Sequence, residues 1–187
     1  LEINEQNAEK IWTECNEYIE KNDITPVSLI DKSNVKFIFT TNEVFDDLST
    51  FEKIAAKGYS FKVMPAFRAD KIMNIAAEKY NEFVSLLEAE THKIATLDEL
   101  ENALEERLVS FKKVGCRASD IALESVYPVA EKAEAEKALK KRRAGENVTE
   151  SEEKAFKGYL TYFLMKLYSK HNIATELHVG AMRNSNS

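Results

Sequence analysis

The sequence predicts an α/β fold on parallel strands, and three observations carry that prediction. Short strand-like runs occur at residues 35–41, 61–67, 115–119 and 174–180, the first of them β-branched and aromatic. At least one helical pattern separates each run from the next, which is the arrangement of successive βαβ units with parallel pairing and right-handed crossovers. No internal repeat or low-complexity tract competes with that reading.

The elements follow in order. Ala8, Ile11, Trp12, Cys15, Tyr18 and Ile19 recur at helical spacing and predict an amphipathic opening helix. Pro26 closes the linker after it. Residues 35–41, rich in Phe, Ile and Val, fit a strand buried on both faces. Leu48, Phe51, Ile54 and Ala55 then mark a helical face that Gly58 terminates. Residues 61–67 form the second strand, and Pro65, which lacks a ladder donor, predicts that the strand ends near it. One helical stripe runs through Ile72, Ile75, Ala76, Tyr80, Phe83, Leu86 and Leu87. Another runs through Leu97, Leu100, Leu104, Leu108 and Phe111, opened by a capping box at Thr96 and Glu99. The third strand is expected at residues 115–119. Residues 128–173 read as a helical excursion within a single unit spanning 1–187. Its first helix, 130–144, is rich in Ala, Glu and Lys and expected to be exposed, with Gly145 as its stop. Its second opens on the capping box of Thr149 and Glu152. The fourth strand is expected at residues 174–180.

Composition narrows the function classes. The 187 residues are 44% hydrophobic, ample for one well-buried core, and carry a net charge of -6. That sign repels nucleic acid and anionic lipid, so neither is an expected partner. No stretch has the roughly 18 continuous apolar residues of a membrane span, and the first residues do not read as a signal peptide, so the expected location is cytoplasmic. Cys15 and Cys116 lack CxxC spacing and read as two reduced thiols. Glycine-rich phosphate loops, HExxH, GxSxG and Cys/His grids are all missing from the sequence. A chain that opens without Met inside an amphipathic pattern is also expected to be an interior stretch of a longer protein.

Few residues stand out for chemistry. Strand alternation puts Glu176, His178 and Gly180 on one face and Leu177 and Val179 on the other, the latter suited to a helix-covered exterior. His178 is therefore either a hydrogen-bonded core histidine or a metal ligand at the carboxyl end of a strand. His92 and His171 read as surface residues. Arg68 and Arg183 each follow a predicted strand terminus. Each either grips an anionic substrate through a planar guanidinium or makes an ordinary loop salt bridge. Arg117 and Asp120 flank the third strand, where they either pair with each other or support a site. Arg117 is also the candidate partner for an inward Glu176.

Five motifs in order resemble the uronate isomerase family of the amidohydrolase superfamily. They are Ile11-Trp12-Thr13-Glu14-Cys15-Asn16-Glu17; residues 35–41 with Asp46-Asp47-Leu48; Val63-Met64-Pro65-Ala66-Phe67-Arg68; Gly115-Cys116-Arg117-Ala118-Ser119-Asp120; and Leu177-His178-Val179-Gly180-Ala181-Met182-Arg183-Asn184. The resemblance covers nearly the whole chain but only the middle of the family's sequence. It implies a partial (β/α)8 TIM-type barrel carrying strands two to five. It also implies aldose-ketose isomerisation of D-glucuronate and D-galacturonate through an enediol, aided by a divalent metal, commonly zinc. On this resemblance His178 is a metal ligand, Arg68 and Arg183 contact a sugar acid, and Arg117 and Asp120 support the site. The family's His-x-His and its final Asp have no counterpart here, so the isolated chain is expected to be inactive. An open sheet is expected to self-associate, as a homo-oligomer. Two departures stand out: Asn42-Glu43-Val44 where the family usually has Asp-Asp-Pro, and Ile121 where it usually has His, a change expected to remove a polar group near the site. Two rival readings remain at this level, another metal-dependent hydrolase on the same barrel and a non-enzymatic helical interaction module.

Overall fold

The structure, a computed structural model, describes residues 3–180. Four strands, β1 (Phe37–Glu43), β2 (Lys62–Arg68), β3 (Ala118–Leu123) and β4 (Ala174–Val179), form one sheet in the order β1-β2-β3-β4. Every pairing is parallel. Eight helices accompany them among the described residues: α1 (Ala8–Lys21), α2 (Pro26–Lys32), α3 (Ser49–Ala55), α4 (Asp70–Met73), α5 (Tyr80–Glu90), α6 (Leu97–Lys113), α7 (Lys132–Arg143) and α8 (Glu150–His171). The sheet is a segment of barrel wall with helices on its outer face, in agreement with the partial barrel expected from the sequence.

Register assigns each strand residue to a face. Thr41 pairs with Ala66, Glu43 with Arg68, Phe67 with Ser119, Asp120 with Glu176 and Ala122 with His178. Because successive side chains alternate, Thr41, Glu43, Arg68, Asp120, Glu176 and His178 share the inner face. Phe67, Ser119, Ile121 and Leu123 share the outer one. There Phe67 meets Phe111 of α6 and Tyr168 of α8 edge-on, at centroid distances of 5.1 and 6.1 Å. The continuous core lies on this helical side and includes Val84, Leu104, Leu108, Phe156 and Leu164. The inner face is open instead, with Phe37 60% and Phe39 47% exposed, so β1 is not buried on both faces as its apolar run predicted.

Five further expectations need correction. Pro65 does not end its strand, because β2 runs on to Arg68. The Lys62 N–H and the Arg68 carbonyl both bond toward β1, so the backbone groups of Pro65 face the other way. On that side β3 pairs with β2 only at Phe67, and no ladder bond at Pro65 is required. The third strand begins at Ala118, three residues later than expected, because residues 115–116 close α6. Gly115 takes φ +103°, its N–H bonds to Lys112 O and the Cys116 N–H reaches Phe111 O, the double bond of a Schellman ending.

The stripe from Ile72 to Leu87 is two helices, α4 and α5. Between them the Arg142 guanidinium donates to the carbonyls of Ala77 and Glu78, at 2.8 and 2.9 Å, and the Ala77 carbonyl closes only a short turn onto the Tyr80 N–H. Pro26 opens α2 rather than closing a linker, standing at N1 behind a capping box of Thr25 and Ser28. Finally α7 is not exposed: Ala135, Ala138, Leu139 and Arg142 are buried. Alanine's small side chain lets α7 lie close on neighbouring helices, so a search for large apolar residues passes over this face.

Close packing also explains a glycine inside α8. A Cβ at Gly158 would stand 2.0 Å from the backbone carbonyl oxygen of Pro128. The opening helix contrasts with this, since none of the residues of α1 is buried and Trp12 and Tyr18 are exposed. Replacing Gly158→Ala should cost about 1–3 kcal/mol through overpacking against main chain that cannot easily yield. Urea unfolding checks this, and an unchanged midpoint would show that the loop carrying Pro128 moves freely.

Candidate functional site

The inner-face polar residues gather toward the carboxyl ends of the strands. Asp120, with its side chain only 8% exposed, is the centre. Its Oδ2 accepts from Arg68 Nη2 at 2.7 Å and from the Thr41 hydroxyl at 2.9 Å, while Oδ1 lies 3.3 Å from His178 Nε2. Glu176 Oε1 is also 3.3 Å from His178 Nε2. The register sets Asp120 level with Arg68 and Glu176, so its carboxylate reaches back to Thr41 of β1, across to Arg68 of β2 and forward to His178 of β4.

The loops above the strands are fixed by buried charge. Asp70 receives the Ala122 N–H on Oδ1 at 3.1 Å, and its Oδ2 stands 3.5 Å from Arg68 Nε. Arg107, buried on α6, donates from Nε to the Val44 carbonyl at 2.6 Å and from Nη2 to the Asp46 carbonyl at 2.7 Å. It also pairs with Glu90 at 2.9 Å. These bonds hold the turn after β1. Nothing in the local sequence marks Arg107 for this task, since it reads as one charge among many on α6.

Glu43 ends β1 beside Arg68. Its Oε1 lies 3.9 Å from Lys71 Nζ, and its buried Oε2 has no hydrogen-bond partner. Burial is the largest influence on its carboxyl and raises it from 4.5 to about 7; Lys71 and Arg68 pull it down and Asp70 pushes it up. Burial also raises the Cys116 thiol, which faces no partner cysteine; Cys15 and Cys116 are both free.

The sequence candidates therefore divide. Arg68, Asp120 and His178 come together. Arg117 precedes β3 at the opposite end of the strand, bonds to the Cys116 carbonyl at 2.7 Å and lines a hollow with Tyr59, Lys62 and Met64. Glu176 accordingly meets His178, not Arg117. Arg183 lies outside the described residues. His171 pairs with Glu105 at 2.6 Å and His92 with Glu106 at 3.4 Å, both away from this cluster. Leu177 and Val179 take the outer face as expected, but exposed rather than helix-covered. The Ile121 departure points into the helical core and leaves the inner face untouched, contrary to the expectation of a polar group lost near the site.

Among the described residues no group of three His, Cys, Asp or Glu side chains is placed to hold a metal ion. The donor set is one imidazole with carboxylate oxygens beside it, short of the about three protein ligands of a stable catalytic site. His178, 47% exposed and presenting Nε2 on the inner face, is suited to be one ligand of such a set.

The sequence profile of the glucuronate isomerase family matches residues 2–187. The chain belongs to the glucuronate isomerase family. A uronate isomerase from Caldanaerobacter subterraneus subsp. tengcongensis is 40% identical over 99% of this chain, and one from Halalkalibacterium halodurans is 35% identical over the same share. The chain spans about 40% of the length of each. The crystal structure of a Thermotoga maritima uronate isomerase superposes with a TM-score of 0.90 at 31% identity, over 97% of this chain and 40% of that one. A Caulobacter crescentus glucuronate isomerase shares the fold, with a TM-score of 0.79 at 20% identity over 86% of this chain and 34% of that one. The family's barrel wall is thus what the four strands and their helices build.

Two outcomes follow from this geometry. Asp120→Ala would strand the partly buried Arg68 without its carboxylate and should lower stability by about 3 kcal/mol in urea unfolding; a loss below about 1 kcal/mol would show that water replaces the bond. Glu43 binds a proton more tightly folded than unfolded, so its contribution to stability falls as pH rises from 4.5 to about 7. Glu43→Gln should therefore match the parent chain in thermal midpoint near pH 4.5 and exceed it at pH 8. An identical difference at both pH values would contradict the assignment.

Proposed function

We propose that the protein carrying this chain is a uronate isomerase, interconverting D-glucuronate with D-fructuronate and D-galacturonate with D-tagaturonate. The observation that carries the reading is the 40% identity to a uronate isomerase across 99% of the chain. The Asp120, Arg68 and His178 cluster supports it, because active sites of barrels form at the carboxyl ends of the strands. In this reading the reaction is an aldose-ketose isomerisation through an enediol, with a proton moved between neighbouring carbons. His178 supplies one ligand to a divalent metal, zinc, and the other ligands come from outside the described residues. When bound, such a metal polarises sugar oxygens. Asp120, itself bonded by the Thr41 hydroxyl, holds Arg68 at the inner face, and its second oxygen stands 3.3 Å from the His178 imidazole.

The same reading places the enzyme in the cytoplasm, as a homo-oligomer within the amidohydrolase superfamily, with a small sugar acid as its partner. Membrane association finds no support in the helices, none of which among the described residues is long and apolar enough to cross a bilayer. The 187-residue chain on its own should be inactive.

The test compares the full-length protein with the isolated chain, each supplied with zinc. Conversion of D-glucuronate to D-fructuronate by the full-length protein, its loss in His178→Ala, and no turnover or stoichiometric zinc binding by the isolated chain are expected. Hydrolysis of a lactone or amide without uronate isomerisation would select a different metal-dependent reaction. Turnover by the isolated chain would overturn the assignment of missing ligands.

A further inference from the structure

We propose that the hollow at the amino ends of β2 and β3 is a binding site for a small carboxylate with an apolar body. Arg117 is the starting point. It belongs to the motif from Gly115 to Asp120, yet it stands before β3, whereas the Asp120 cluster gathers toward the carboxyl ends. Its one hydrogen bond runs from Nη1 to the Cys116 carbonyl, at 2.7 Å. Among the described residues no carboxylate pairs with Arg117, and none pairs with Lys62 of the same hollow; both side chains are exposed. Asp31, the acid that reaches the neighbouring loop, bonds to the Ser60 hydroxyl instead.

The fold explains why a hollow opens here. β2 and β3 pair only at Phe67, so their amino ends are not laddered together. The end of α3, the loop from Gly58 to Phe61, the start of β2 and the segment leaving α6 enclose about 320 Å³, the lower end of the range for small-molecule sites. Its walls are mostly apolar and include Ile54, Val63, Met64 and Val114. Tyr59 and Phe61 also line it, with rings stacked 5.3 Å apart and 5° from parallel.

The charges and the walls together select the ligand. Two unpaired cations are a local exception in a chain of net charge -6, and an anionic group beside them offsets their mutual repulsion. Arg117 offers its remaining donors in a planar fork that matches a carboxylate, and Lys62 adds a point charge. The apolar walls call for a hydrocarbon or aromatic body, which inorganic phosphate and a hydroxylated sugar acid both lack. A monocarboxylate carrying a ring or a branched chain meets both demands. The inference does not depend on the sugar-acid reading, since none of Arg68, Asp120 and His178 lines the hollow.

Calorimetry on the full-length protein tests this with phenylacetate, its neutral amide phenylacetamide, and inorganic phosphate as probes. Phenylacetate should bind in the submillimolar range and each of the others about tenfold more weakly, since the amide lacks the charge and phosphate lacks the body. Arg117→Gln should weaken phenylacetate by about tenfold and phenylacetamide by less than about twofold. Ala55→Leu, which adds bulk to the wall from an exposed position, should weaken both. Phosphate bound as tightly as phenylacetate would mark an adventitious ion only and overturn the proposal. So would no binding of phenylacetate, the result expected where another segment of the full-length protein fills the hollow. An affinity unchanged in both variants would overturn it too, as would displacement by D-glucuronate, which would put the probe beside Asp120, Arg68 and His178.

Discussion

The Asp120 carboxylate is the interaction on which the inner face depends. It belongs to a central strand, and its oxygens reach a hydroxyl from β1, a guanidinium from β2 and an imidazole from β4. In the parallel register Asp120 stands beside the ends of β1 and β2 while β3 and β4 run on, so one short side chain can reach three neighbours. A carboxylate this buried is tolerated only when it is charge-paired and hydrogen-bonded, and the bonds to its Oδ2 fix where Arg68 points, while Oδ1, without a hydrogen-bond partner, is left facing His178. Structural tie and chemical organisation are here a single set of contacts.

The outer layer secures that geometry from the other side. Arg107 and Arg142 are both buried on helices, and both spend their donors on backbone carbonyls of loops, at residues 44 and 46 for one and 77 and 78 for the other. Each replaces an absent secondary-structure partner for main-chain oxygens, so irregular segments gain fixed positions without regular bonding. The loop after β1 carries Phe45 and α5 carries Phe83 near its start, and fixing that loop helps to bring the two rings together. Acidity summed over the whole chain hides this local balance, in which individual cations do separate tasks.

Much of the fold was legible in the sequence because helices and strands leave periodic marks. The boxes at Thr96 and Thr149 state where α6 and α8 begin, and the strand alternation at 174–180 puts Glu176 and His178 on one face before any coordinates exist. What escaped was long-range. Whether Arg68 faces one carboxylate or two depends on residues 2 and 52 positions away, and no spacing rule encodes the second. The Ile121 departure seemed chemically serious in one dimension and proved peripheral once alternation was anchored by the Phe67 and Ser119 pairing. Small-residue burial in α7 failed for a related reason, since alanine carries little hydropathy signal even where packing selects it.

Pro65 has a consequence for fidelity as well as for local pairing. If β2 slid by one residue against β1, its nitrogen would turn toward Thr40 and Thr41, where the existing ladder needs a donor that proline lacks. The same slip would rotate Arg68 out of the lumen and bring Phe67 in. An imino acid in mid-strand therefore works as a proofreader of alignment, making the misthreaded sheet costly while leaving the correct one unharmed.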